Sequence, residues 1–273
     1  MPELPEVEVI RQDLLSRVVG RTLESAKLTE PRLTRRCGTP ASVEAVLAGR
    51  TVRALRRRGK FLLFDLTGDV TLVVRLGMTG QLRWAENGGG FRPDAHTHLQ
   101  LVFAPHGVLY YRDIRKFGEV FLLPTGDVGQ TLRIGREPLD PALRPRDLFR
   151  LCRATARIKS LLLDQTVLAG IGNIYADEAL FRAGIRPTRR ARTLTRAEAA
   201  RLLRALRAVL RAGIRHRGSS ISDYRDASGS PGRFTRFHRV YHRHGEPCRI
   251  CGTPIRRIQL SQRSTHFCPT CQH

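Results

Sequence analysis

The chain has 273 residues, a length that fits one or two domains of about 150 residues each. Hydrophobic residues make up 41% and charged residues 26%, which leaves enough apolar material for real cores. The 48 Lys and Arg against 24 Asp and Glu give a net charge of +24, which argues against a generic metabolic enzyme and points to a polyanionic partner. No apolar run approaches the roughly 18 to 20 residues of a membrane span. The acidic start Met1-Pro-Glu-Leu-Pro-Glu-Val-Glu8 lacks the basic-then-apolar layout of a signal peptide. The expectation is a soluble, cytoplasmic protein.

Residues 3–19 read as a helix, with Val7, Ile10, Leu14, Leu15 and Val18 at helical spacing, Glu3, Glu6 and Glu8 in the first turns and Gly20 at the end. Short β-type runs follow at 51–55, 61–66, 70–76, 98–103, 108–111 and 119–123, punctuated by Gly, Pro, Asn and Asp, and predict a sandwich or barrel. The pattern changes near Gly135-Arg-Glu-Pro-Leu-Asp-Pro141, so a boundary is placed at 130–137. Helices are expected at about 145–154, 157–163, 173–183 and 195–215. The Gly- and Ser-rich stretch 217–234 reads as a mobile loop.

Four of the six cysteines form Cys248-Arg-Ile-Cys251 and Cys268-Pro-Thr-Cys271, with 16 residues between the pairs. This spacing suits a tetrahedral four-thiolate zinc site around a β-hairpin, a structural site with no open position. A segment this short needs a staple, and zinc binding supplies the folding energy. The competing reading is a pair of disulfides. Cys37 and Cys152 are expected to be buried free thiols. The finger is also basic, which fits nucleic-acid contact.

The stretch from Ile158-Lys159 through Asp164 to Ala169-Gly-Ile-Gly-Asn173 reads as helix, tight glycine turn, helix. A helix N-terminus behind Gly170 and Gly172, flanked by Lys159 and Asn173, suits phosphate; the alternative is a plain helix connection. Lysine is scarce, occurring only at 27, 60, 116 and 159, so an amine in this arginine-rich chain invites a chemical role. Pro2 invites another. With Met1 removed it is a secondary amine at a helix N-terminus, where the positive dipole end disfavours protonation and leaves a nucleophile able to form a Schiff base at a sugar C1′. The plainer reading keeps Met1 and gives Pro2 only the first helical turn.

Six motifs in order resolve these alternatives: Pro2 to Glu8, Gly59-Lys-Phe61, Leu76-Gly-Met-Thr-Gly80, Asp113-Ile-Arg-Lys-Phe-Gly118, Gly170-Ile-Gly-Asn-Ile-Tyr-Ala176 and the CxxC pairs. Together, over essentially the whole chain, they resemble the bacterial formamidopyrimidine-DNA glycosylases, oxidised-purine glycosylases and AP lyases of the helix-two-turn-helix, zinc-finger type. The resemblance implies an α+β fold. It has a catalytic β-sandwich domain flanked by helices at 1–132 and a helix-two-turn-helix domain at 137–233 that carries a lesion-capping loop near 219–233. A zinc finger follows at 239–273. The expected cofactor is one structural zinc on Cys248, Cys251, Cys268 and Cys271, with no organic cofactor. The expected partner is damaged double-stranded DNA, bound by a monomer.

Residue by residue, the resemblance makes Pro2 the nucleophile and Glu3 the proton donor and acceptor at the sugar, with Glu6 holding the first helix. Lys60 becomes a proton donor in strand cleavage and Arg263 the finger arginine that promotes the second elimination. Lys159 and Asn173 become phosphate clamps, and His96 and Arg115 further DNA contacts. Removing a base from a duplex requires flipping it out of the stack. Met78, Arg115 and Phe117 would fill the hole, although Met78 and Phe117 alone read as core residues. Ser222, Tyr224 and Arg225 are the expected lesion contacts. Two departures are visible. Asp113-Ile-Arg-Lys stands where the family often has Asp-Pro-Arg-Arg, and Arg153, Ala154 and Arg157 replace a lysine cluster, keeping its charge. The implied reaction removes 8-oxoguanine or formamidopyrimidines and nicks the strand by β,δ-elimination. A sister enzyme of the endonuclease VIII type is the nearest alternative, against which Leu4 and the Arg115/Phe117 pair stand. A non-catalytic DNA-binding protein is the alternative of another class.

Overall fold

The computed structural model describes residues 1–36, 38–86, 91–103 and 105–273; Cys37, expected to be a buried thiol, lies outside the described residues. By contact the chain forms two compact units, 1–133 with 216–233, and 134–215 with 234–273.

The first unit opens with α1 (Leu4–Val18), whose buried stripe Val7, Ile10, Leu14 and Val18 enters the core. Strands β1 (Ser25–Leu28), β2 (Val52–Arg58), β3 (Phe61–Leu66), β4 (Val70–Arg75), β5 (Gln81–Glu86), β6 (Thr97–Phe103), β7 (Gly107–Arg112) and β8 (Glu119–Pro124) make two antiparallel four-stranded sheets. One has the order β1-β6-β7-β5 and the other β2-β3-β4-β8. One face of each contributes to a shared core, with Leu62, Phe64, Leu72 and Val74 from the second sheet and Leu82, Leu99, Leu101, Leu109 and Tyr111 from the first. Side chains alternate across a strand, so period-two apolar patterns deliver this face without further instruction. The expected sandwich is therefore present.

Two strands and two helices were not expected. The edge strand β1 buries only Leu28 and carries no alternation to read. The strand β5 does alternate, with Leu82 and Trp84 inward. The helix α2 (Pro40–Leu47) is short but has Thr39 accepting from the Ser42 N–H and proline in its first turn, a legible start signal. A short α3 (Val128–Leu132) closes the stretch before residue 134.

The second unit holds α4 (Pro145–Leu151), α5 (Ile158–Leu163), α6 (Asn173–Ala183) and α7 (Arg196–Arg215), close to the expected spans, and a hairpin of β9 (Arg256–Leu260) and β10 (Arg263–Phe267). Leu148, Ile158, Leu162, Ala176, Leu180, Leu202 and Leu206 form its core. Cys152 is a buried free thiol, pushed up to about 11 by burial. Glycine is required at Gly213 in α7, where a Cβ would come 2.6 Å from the Tyr175 ring.

The segment 216–233, expected to be a mobile loop of the second domain, groups instead with the first unit. Ala227 is fully buried in the first unit's core, and the carbonyls of Ala227 and Asp223 accept from the Trp84 N–H at 2.9 Å and from Gln81 Nε2 at 2.6 Å. Only Tyr224 and Ala227 of this segment enter the core, too few to show a period, and hydrogen bonds hold the rest, so low apolar content left its placement unmarked.

Candidate functional site

In the first unit, Pro2 is buried immediately ahead of α1. Glu3 and Glu6 are both nearly inaccessible, at 3% and 1% exposure. The Glu3 N–H donates to Glu6 Oε2 at 2.8 Å, and the Ser219 N–H donates to Glu6 Oε1 at 2.8 Å. Glu6 thus joins the start of α1 to the 216–233 segment. The approach is so close that a Cβ on Gly218 would sit 2.8 Å from the Glu6 side chain. Lys60 is half-buried in the turn between β2 and β3. That turn is tied to α1, since Arg57 donates to Glu8 at 2.9 Å and to the Gly59 carbonyl at 3.0 Å. Burial raises the Glu8 carboxyl, but hydrogen bonds from Arg11 and Arg57 outweigh it and hold the group below the usual range.

Met78 and Phe117 are exposed at 40% and 46%, so neither is a core residue. Their loops are knitted together by Asp113, which is fully buried. It accepts from Thr79 Oγ1 at 2.5 Å, the Tyr111 hydroxyl at 2.9 Å, the Gly118 N–H at 2.9 Å and the Arg115 N–H at 3.2 Å. The backbones pack so closely that a Cβ on Gly77 would meet Phe117 at 2.6 Å. The result is three outward side chains on one braced platform, with the Arg115 guanidinium 4.6 Å from the Phe117 ring centre. His96 lies in the turn before β6, its carbonyl accepting from the Asp113 N–H at 3.0 Å. Isoleucine in place of proline at 114 leaves this platform intact.

Of the expected lesion contacts, Ser222 is exposed and Arg225 half-buried, its guanidinium donating to the Tyr224 carbonyl at 3.0 Å. Tyr224 corrects the expectation: its ring is part of the first unit's core, with burial holding its hydroxyl neutral. Its role is to pack the loop down.

In the second unit, Arg153 and Arg157 are exposed. Asn173 opens α6 and donates through Nδ2 to the Ser264 carbonyl at 2.9 Å. Lys159 corrects its expectation. It is fully buried, paired with Asp177 at 2.7 Å, and donates to the Ser264 carbonyl at 2.8 Å and to Thr265 Oγ1 at 2.9 Å. A phosphate clamp must reach solvent, and this amine instead ties α5 and α6 to β10. Asp177 also accepts from the His266 N–H at 2.9 Å. Arg263 is exposed and directly follows the two-residue turn Ser261–Gln262, both at positive φ, the geometry of a type I′ hairpin tip. Sequence reasoning missed Glu178, which is buried and accepts from the N–H groups of Arg239, Val240 and Tyr241 at 2.9–3.0 Å, fixing the strap that leads into the finger.

The sulfur atoms of Cys248, Cys251, Cys268 and Cys271 all lie within 4.8 Å of one another, with pairs at 3.4, 3.5 and 3.9 Å. A tetrahedron with Zn–S bonds of about 2.3 Å has edges of about 3.8 Å, so the cage fits one structural zinc ion. Four thiolates complete its coordination and leave no position for substrate.

Family models match in chain order: the formamidopyrimidine-DNA glycosylase N-terminal domain over residues 1–120, the H2TH domain of the same enzymes over 134–225, and the zinc finger found in FPG and IleRS over 245–273. Among curated relatives, the formamidopyrimidine-DNA glycosylase of Thermus thermophilus is 46% identical over 100% of this chain and 98% of its own. That of Thiobacillus denitrificans is 46% identical with 100% of both covered. The crystal structure of the Thermus thermophilus protein superposes with a TM-score of 0.87 over 99% of this chain and 98% of that one. Lactococcus lactis Fpg in complex with abasic-site DNA reaches 0.90 at 36% identity, with 99% of both chains covered. In the described residues no helix is long and apolar enough to cross a membrane. With full-length matches well above the level at which ancestry is ambiguous, the chain belongs to the formamidopyrimidine-DNA glycosylase family.

Proposed function

We propose that this enzyme removes oxidised purines, 8-oxoguanine and formamidopyrimidines, from duplex DNA and then nicks the strand by β,δ-elimination. The observation that carries the reading is the buried start of α1, where Pro2 precedes Glu3 and Glu6 locks the Glu3 backbone. With Met1 removed, the neutral Pro2 nitrogen forms a bond to C1′ as the glycosidic bond breaks; the glycosidic electron pair leaves with the base, which takes up the proton that the proline nitrogen loses. Glu3 protonates the sugar ring oxygen as the ring opens, giving an iminium. Loss of a C2′ proton expels the 3′ phosphate, and a second proton loss expels the 5′ phosphate. Lys60 and Arg263 assist these departures, Arg263 by a bidentate grip on phosphate. Met78, Arg115 and Phe117 enter the stack left by the flipped nucleotide, and the exposed part of the 219–233 loop covers the base. Asn173, His96, Arg153 and Arg157 contact the backbone. Zinc, held by the four cysteines, supplies folding energy to the finger.

Borohydride should trap a covalent complex between the demethionylated protein and duplex DNA carrying 8-oxoguanine opposite cytosine. Pro2→Gly, or retention of Met1, should abolish it. Absence of an adduct with the unmodified enzyme would favour a protein that only grips DNA, and preferred cleavage at thymine glycol would favour an oxidised-pyrimidine enzyme.

A further inference from the structure

Arg217 is used by none of the chemistry above, yet it occupies an unusual position. It lies two residues past α7 with φ of 60°, a backbone conformation open to glycine and disfavoured for a long side chain. The side chain joins two carboxylates from separate elements. Its Nη2 lies 2.5 Å from Asp13 on α1 and 2.6 Å from Asp226, and its Nε is 2.9 Å from Asp226. Asp226 is 1% exposed and in turn organises the far side of the loop, accepting through Oδ1 from the Ser228 N–H, the Ser228 hydroxyl and the Ser230 N–H at 2.7–3.0 Å. Exposed ion pairs contribute little, but this one has a buried carboxylate at its centre and belongs to a network. At the two ends of the segment, the Arg233 N–H donates to the His216 carbonyl at 2.8 Å. Between these fixed points Ile221 is exposed at 42% and Ser222 is exposed as well.

We propose that Arg217 is a positioning residue, bridging Asp13 and Asp226 so that the loop is fastened to α1 and its exposed crown, residues 221–222, is presented to the flipped base. This rests on the reading of the loop as a lesion cap. An abasic site has no base to hold, so the bridge governs base removal and not cleavage of a preformed abasic site. The Ser219 N–H to Glu6 Oε1 contact involves no atom of Arg217, Asp13 or Asp226.

The test uses the full-length, demethionylated, zinc-loaded protein with Arg217→Gln, Asp13→Asn and the double variant. Release of 8-oxoguanine in single-turnover assays should slow about fivefold in each single variant, with the double variant little worse, because both remove one shared interaction. Nicking of abasic duplex should stay within about twofold of wild type. Amide exchange of the peptide covering 218–233 should accelerate. Unchanged exchange would overturn the bridge itself. Faster exchange with undiminished base release, or base release and nicking falling together, would overturn its role in presenting the loop. Failure of the catalytic reading is separate: it shows as a wild-type enzyme that traps no adduct and releases no base.

Discussion

Lys159 shows how one burial value changes the meaning of a residue. Its amine is surrounded by Asp177, the Ser264 carbonyl and Thr265 Oγ1, all within 2.9 Å. Removing one partner of a buried pair leaves the other charge uncompensated, at a cost of about 3–5 kcal/mol. Lys159→Ala should therefore lower the denaturant midpoint of the second unit clearly. The slope of DNA affinity against salt should not change, because no phosphate contact is lost. A variant that is stable but shows a slope flattened by about one would restore the phosphate-clamp role. The sequence could not separate these cases: a lysine before a glycine turn looks the same whether it faces solvent or Asp177, eighteen residues on. Met78 and Phe117 failed in the opposite direction, since apolar side chains carry no mark of exposure. Only the ordered set of motifs placed them outside, and the buried Asp113 explains why the platform stays outward.

Among the elements, those with a strong period were legible. The spans of β3 and α6 match their expected limits, and α1, β4, β6 and β8 differ by a residue or so, because apolar alternation and helical spacing encode them directly. The strand β1, held by its ladder, and the 216–233 segment, held by hydrogen bonds and only two core residues, leave no such trace. The finger is a third kind. Its core is a small cluster of Phe181, Val240, Ile255, Cys248 and Cys268, too little to hold a hairpin against chain entropy. Its strand β10 nevertheless anchors Lys159, Asn173 and Asp177 and carries Arg263. Chelating the zinc should release β9 and β10, seen as rapid amide exchange over 245–273, and reduce DNA affinity by at least about tenfold. The single tryptophan, Trp84, reports on the other unit from its buried place in β5. Its fluorescence should stay unchanged during chelation. A shift in Trp84 emission together with finger exchange would show that zinc stabilises more than the finger.

For the molecule as a whole, the sequence order of domains and the grouping by contact differ in one respect. The chain leaves the first unit at Arg133, returns for 216–233 and leaves again, so the segment proposed to cap the lesion groups with the unit that carries Pro2. Charge acts across both units. A net +24 on 273 residues repels itself in the free protein and is relieved by a polyanion that shields it. Almost all of this charge is arginine, which keeps its proton at any working pH, so affinity should respond to salt far more than to pH between neutral and mildly alkaline. If about 6 phosphates are neutralised, log K against log salt should fall with a slope of roughly −5 for intact and abasic duplex alike, because the backbone contacts are the same. Base-specific recognition adds an offset at each salt concentration without steepening the line. A slope near zero, or one that depends on the lesion, would mean that the charge serves something other than phosphate neutralisation.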